Sequence, residues 1–148
     1  MRFLGFVTGD QNAIAPLQGW VGHKGKHGCR LMCGHPSRRV PGTGHYYLAL
    51  LKPDGYGESG CDYNNISLDN MPSPSTHLYC QCLEYVLRAP NITKFKKRRL
   101  ETGINSVSIF DGIPRKTEIP TLFTADLMHL IALNFAELIS SLLRGTLK

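Results

Sequence analysis

Residues 2–10, RFLGFVTGD, decide the fold. Residues 2–8 form a short apolar run ending at Gly9-Asp10, which reads as a buried β-strand. A carboxylate directly after a buried strand stands where α/β proteins carry functional side chains, because the loop there lies over the edge of the core. Asp10 reads equally as the N-cap of a helical turn starting at Asn12, and the residues alone favour the cap. The run is too short for the apolar stretch of a secretory leader, and no small-residue cleavage site follows it.

After this strand, residues 19–44 mix glycine, histidine, cysteine and basic residues with little apolar periodicity. Residues 45–51, HYYLALL, read as a strand or a buried helical turn, and residues 52–75 return to loop around Pro53-Asp54-Gly55. Residues 76–89 read as a helix capped by Thr76, with Leu78, Cys82, Tyr85 and Val86 on one face. Asn91 then caps a basic helix running to Thr102 and closed by Gly103. The strongest periodicity comes last: residues 126–144 place Leu127, Ile131, Leu138 and Leu142 near one stripe, with Gly145 as the stop. Asp126, His129 and Glu137 interrupt this apolar stretch and argue against a membrane span. The elements predict one α/β unit with a long, loop-rich insertion.

Composition agrees with a folded chain and narrows its partners. The 148 residues suffice for one domain, and 42% apolar with 19% charged residues excludes wholesale disorder. Seventeen Lys and Arg against eleven Asp and Glu leave a formal charge of +6, which favours polyanions or serves solubility alone. Five cysteines cannot close a complete disulfide framework, and six histidines accompany them. That mixture suits metal ligation in a reducing compartment.

Four groups of residues could carry chemistry. Cys29 and Cys33, spaced C-x3-C among His23, His27 and His35, with His45 further on, suit zinc; the alternative is a pair of buried reduced cysteines. Cys80 and Cys82 point to different sides of their helix, so joint ligation is awkward, and Cys61 sits in a glycine-rich loop. Lys94, Lys96, Lys97, Arg98 and Arg99 could neutralise phosphates without reading bases, or form a solvated face. Asp126 and His129, at i and i+3, share a helix face, as a functional pair or as a cap with a core-edge imidazole.

Taken in order, several segments resemble one family. They are the strand ending in Gly9-Asp10, GWVGHKGKHGCRLMCG at residues 19–34, and GHYYLALLKP at residues 44–53. Gly60-Cys61-Asp62, Glu101-Thr-Gly-Ile104 with Ser108-Ile-Phe110, and Ala125-Asp-Leu-Met-His-Leu130 complete the set. The set resembles the central part of the catalytic domain of CACTA/En-Spm-type DNA transposases, in particular the Plavaka-like members carried by fungal DNA transposons.

The resemblance implies a partial RNase H-like (DDE transposase) core in which two aspartates and a glutamate bind two Mg2+ or Mn2+ ions for DNA strand cleavage and transfer. It implies that Asp10 is the second aspartate, that Cys29 and Cys33 hold Zn2+, and that Asp126 and His129 form the D-x2-H signature, with His45 a further metal or structural candidate. On this reading residues 1–148 are one incomplete domain. Residues 1–18 give the core strand and the acidic turn, residues 19–120 the insertion with the Cys/His cluster and basic helix, and residues 121–148 a core helix. The first aspartate is expected upstream of Met1 and the glutamate downstream of the D-x2-H element, so the isolated chain is expected to be inactive. DNA is the implied partner, and the nucleus, or nucleus and cytoplasm, the implied compartment; the intact family implies a homo-oligomer, and neither secretion nor membrane association is expected. A zinc-stabilised basic DNA-binding module without catalysis and a non-functional transposon relic are the alternatives.

Overall fold

The computed structural model describes residues 3–29, 32–71, 73, 75–127 and 129–146. The chain is α/β: β1 (Val7–Gly9), α1 (Gln11–Gln18), β2 (Arg38–Arg39), β3 (Tyr46–Tyr47), α2 (Thr76–Leu87), α3 (Ile92–Thr102), β4 (Phe123–Ala125) and α4 (Ala136–Leu143). A 3-10 turn at Leu68–Asn70 and π-helical turns at His129–Phe135 complete it. β1 pairs in parallel with β4, Val7 beside Phe123 and Gly9 beside Ala125, while β2 and β3 form an antiparallel hairpin.

The N-terminal strand is shorter and less buried than its composition predicts, and residues 1 and 2 lie outside the described residues. Leu4 and Val7 pack against the core, whereas Phe3 and Phe6 are exposed. The reason is that β1 has a single partner strand among the described residues, so only part of the segment meets a packed face. Likewise only Tyr46 and Tyr47 of residues 45–51 form strand, and Leu48 and Leu51 are exposed.

The core gathers Ile14 from α1, Tyr79, Leu83 and Val86 from α2, and Ile119, Leu122 and Phe123 around β4, with Trp20, Met32 and Ile104 between them. The Phe110 and Phe123 rings meet edge to face, 5.8 Å between centroids. α2 is capped by Ser75, whose Oγ accepts from the Leu78 N–H, and not by Thr76. Its buried stripe is Tyr79, Leu83 and Val86, at i, i+4 and i+7. Cys82 packs at the edge of that stripe, and Tyr85 faces solvent. Apolar residues nearly encircle this helix, so their spacing alone does not choose which stripe turns inward.

α3 has the ends its sequence predicts. The Asn91 Oδ1 accepts from the Lys94 N–H at 2.9 Å, and Gly103 closes the helix at φ 80°. A Cβ on Gly103 would lie 2.8 Å from the His27 Cβ and 3.2 Å from the His27 carbonyl oxygen. Gly103→Ala is therefore expected to cost more than the roughly 1–2 kcal/mol of left-handed strain alone, because the Cβ contact adds to it. A urea midpoint equal to that of the parent chain would contradict this.

The C-terminal segment departs furthest from expectation. The predicted helix over 126–144 is divided into π-helical turns and α4, and none of the α4 side chains is buried. Leu127, Ile131, Phe135, Leu138 and Leu142 are each at least half exposed, so the apolar stripe does not form part of the core. Gly145 does supply the left-handed stop, at φ 64° after the cap residue Arg144. Among the described residues no helix is long and apolar enough to cross a membrane.

Candidate functional site

Two carboxylates follow the paired strands. β1 and β4 run in the same direction and end on the same rung, Gly9 beside Ala125. Asp10 and Asp126 are the residues that follow the two strands, so both leave the sheet at its carboxyl-terminal edge. Asp10 also caps α1: its Oδ1 accepts from the Ala13 N–H at 2.6 Å. The cap and the strand-end position are compatible, since a carboxylate has further lone pairs to offer. Met128 and the side chain of His129 lie outside what the structure describes.

The cysteine pair faces a pocket. Cys29, Cys33, His27, His35 and Cys82 line it, with Trp20 at its wall. The backbone turns sharply there: the Met32 N–H donates to the Cys29 carbonyl at 2.9 Å, Met32 has φ 53°, and Gly34 has φ 76°. A left-handed conformation is uncommon for a side chain such as Met, and here it stands directly before Cys33. The side chains of Cys29 and Cys33 are hydrogen-bonded to each other. That bond first, and burial second, push the Cys33 thiol well above its ordinary range.

Burial, with the Lys26 cation beside it, holds the His27 imidazole below its ordinary value, so the ring is mostly neutral near pH 7. The His35 Nε2 is buried without a hydrogen-bond partner. These donor types suit zinc. The two thiols meet, but among the described residues no group of three or more His, Cys, Asp or Glu side chains is close enough to hold a metal ion. His45 is exposed on the β2–β3 turn and does not line the pocket. Cys61 is buried and Cys80 exposed, both as thiols.

The basic run on α3 divides into structural and outward-facing members. The Arg98 guanidinium stacks on Tyr85 at 4.3 Å and donates to the Tyr85 carbonyl at 2.7 Å. The Arg99 Nη2 donates to the Asn105 Oδ1 at 2.8 Å, with the guanidinium 5.6 Å from the Phe95 ring. Lys97 makes an exposed i,i+4 ion pair with Glu101 at 3.8 Å, which adds little stability in water. Lys94 and Lys96 are exposed.

Two features escape linear reading. Arg38 is fully buried, with its guanidinium donating only to carbonyls. Lys24, Lys26 and Tyr46 share a groove with Lys96 and Arg99. A cluster assembled from three separated segments has no spacing signal, although the density of cations in residues 24–26 was a partial one. Comparison of the chain with protein-family models, with curated proteins and with solved structures gives no match.

Proposed function

We propose that the chain carries part of the RNase H-like catalytic core of a DDE-type DNA transposase of the CACTA/En-Spm kind, and that it is inactive alone. The observation that supports this reading is the parallel β1–β4 pair with Asp10 and Asp126 leaving its carboxyl-terminal edge. Ligand sites of open α/β sheets lie outside the carboxyl ends of parallel strands, and hard oxygen donors there suit Mg2+ or Mn2+. Such ions, when bound, activate a hydroxyl for attack on a phosphodiester. Asp10 and Asp126 would hold them from two sides, the Asp10 backbone being fixed by its cap. Because no third acidic, His or Cys side chain joins them among the described residues, two ions would not be held in register.

The isolated chain with Mg2+ or Mn2+ is therefore expected to leave supercoiled plasmid intact. Robust nicking abolished by Asp10→Ala would overturn the inactive assignment. Mn2+ is expected to broaden amide resonances around Gly9 and Ala125, and to broaden them less in Asp10→Asn and Asp126→Asn. Unaffected resonances at that edge would overturn the carboxylate site itself.

A second reading, a zinc-stabilised basic DNA-binding module without catalysis, is favoured by the contact between Cys29 and Cys33 and by the unpartnered His35 Nε2 in the same pocket. Binding would require deprotonation of the thiols and an inward movement of an imidazole. Reduced protein is expected to carry one zinc per chain, lost in the Cys29→Ser/Cys33→Ser variant; metal-free reduced protein would remove this reading.

A further inference from the structure

Cations from separated segments meet in an open groove of about 620 Å3. One wall is the loop carrying Lys24, Lys26 and His27, and the other is α3 through Lys96 and Arg99. The β3 hairpin adds Tyr46 and is tied to the first wall by the Tyr46 N–H, which donates to the Lys24 carbonyl at 3.0 Å. Among the described residues, four cations and no carboxylate line the groove. Arg99 is fixed by Asn105 yet keeps a buried Nε without a partner.

The groove is also largely apolar between its charges. The half-buried ring of Tyr46 and the apolar Leu100 and Val21 share its lining. A surface that only tracks duplex phosphates needs cations and no such lining. Cations flanking an aromatic ring inside a concavity match a different partner, a strand whose phosphates meet the cations while an unstacked base lies on the ring.

We propose that this groove binds a segment of single-stranded nucleic acid, with Lys24, Lys26, Lys96 and Arg99 on its phosphates and a base stacked on Tyr46. The proposal rests on the nucleic-acid reading above only for the class of partner. It is independent of the Asp10 and Asp126 edge, so the Mn2+ experiment and the one below can fail separately.

Anisotropy of a fluorescent oligothymidine titrated with the full chain is expected to show binding that weakens with salt and is tighter than to a duplex of the same length. Lys96→Glu, an exposed change on α3, should weaken it by roughly tenfold or more, and Lys24→Ala should lower the slope of log K against log salt by about 1. Arg144→Glu makes the same change of net charge as Lys96→Glu at a distant exposed position and should alter affinity far less. Tyr46→Ala should weaken single-strand binding by roughly tenfold and leave heparin binding unchanged, with Tyr46→Phe restoring it. Equal affinity for duplex and single strand, or equal losses for Lys96→Glu and Arg144→Glu, would overturn the proposal. A Tyr46→Ala variant of unchanged circular dichroism and unchanged single-strand affinity would do the same.

Discussion

Replacing Arg38 with alanine is expected to destabilise the chain by about 3 kcal/mol or more, because a buried network of charge-assisted hydrogen bonds, each contributing roughly 1.5–3 kcal/mol, is lost together. The side chain is fully buried. Its Nη1 donates to the Tyr63 carbonyl at 2.7 Å and the Cys61 carbonyl at 3.3 Å, and its Nη2 to the Asn64 carbonyl at 3.2 Å and the Leu50 carbonyl at 3.4 Å. The Tyr63 ring lies 4.2 Å from the guanidinium carbon and the Tyr56 ring 5.9 Å. Those rings are anchored in turn, the Tyr56 hydroxyl donating to the Arg39 carbonyl at 2.6 Å and the Tyr63 hydroxyl to the Pro36 carbonyl.

No ion pair of Arg38 occurs among the described residues, so the charge is held by carbonyl dipoles and ring faces alone. Truncation would leave the Cys61, Tyr63 and Asn64 carbonyls to find water in a loop with almost no regular structure to hold it, while the Leu50 carbonyl keeps the Ile66 N–H at 2.9 Å. Arg38→Lys keeps the charge but not the planar fork or the stacking, and should still cost more than about 1 kcal/mol. The loss should begin locally, so limited proteolysis within residues 48–66 should precede global unfolding. A variant with parental urea midpoint and parental proteolysis would show that the guanidinium cage is dispensable.

Arg38 also shows where linear reading stops. Its partners are backbone oxygens in segments distant along the chain, and a carbonyl has no residue type to recognise. The ends of α3 were legible because capping is local: Asn91 and Gly103 act within a turn of themselves. α2 was legible as a helix, but its inward stripe was not, since apolar residues nearly surround it. The apolar residues of the last helix pointed to a core position, yet burial depends on what packs against a helix, and its stripe is exposed. The site divides in the same way. The cap made by Asp10 follows from the next three residues, whereas its alignment with Asp126 follows from a parallel pairing between Val7 and Phe123 that no local pattern encodes. The spacing of Cys29 and Cys33 marked them as a candidate pair, while the groove shared by Lys24, Tyr46 and Lys96 exists only after folding.

Trp20→Ala is expected to cost about 3–5 kcal/mol, as removal of a large buried aromatic does. Trp20 is the only tryptophan, is buried in the core, and forms a bridge with Ile104. Its indole Nε1 donates to the His27 carbonyl at 2.7 Å, and its own carbonyl accepts from the Asn105 Nδ2 at 3.3 Å. His27 lines both the cysteine pocket and the basic groove, so this indole bond fixes the strip of backbone that separates them. Trp20→Phe retains most of the apolar volume but leaves the His27 carbonyl without its donor, at a cost of about 1–3 kcal/mol. The two variants therefore separate packing from positioning. If the indole bond positions His27, Trp20→Phe should remain folded yet bind oligothymidine and retain zinc less well than its stability loss alone requires. Parental affinity in a folded Trp20→Phe would assign Trp20 to the core alone. In the parent chain the buried indole should emit at short wavelength, and zinc or an oligonucleotide should change its intensity, because both candidate ligand surfaces end on the residue whose carbonyl it holds.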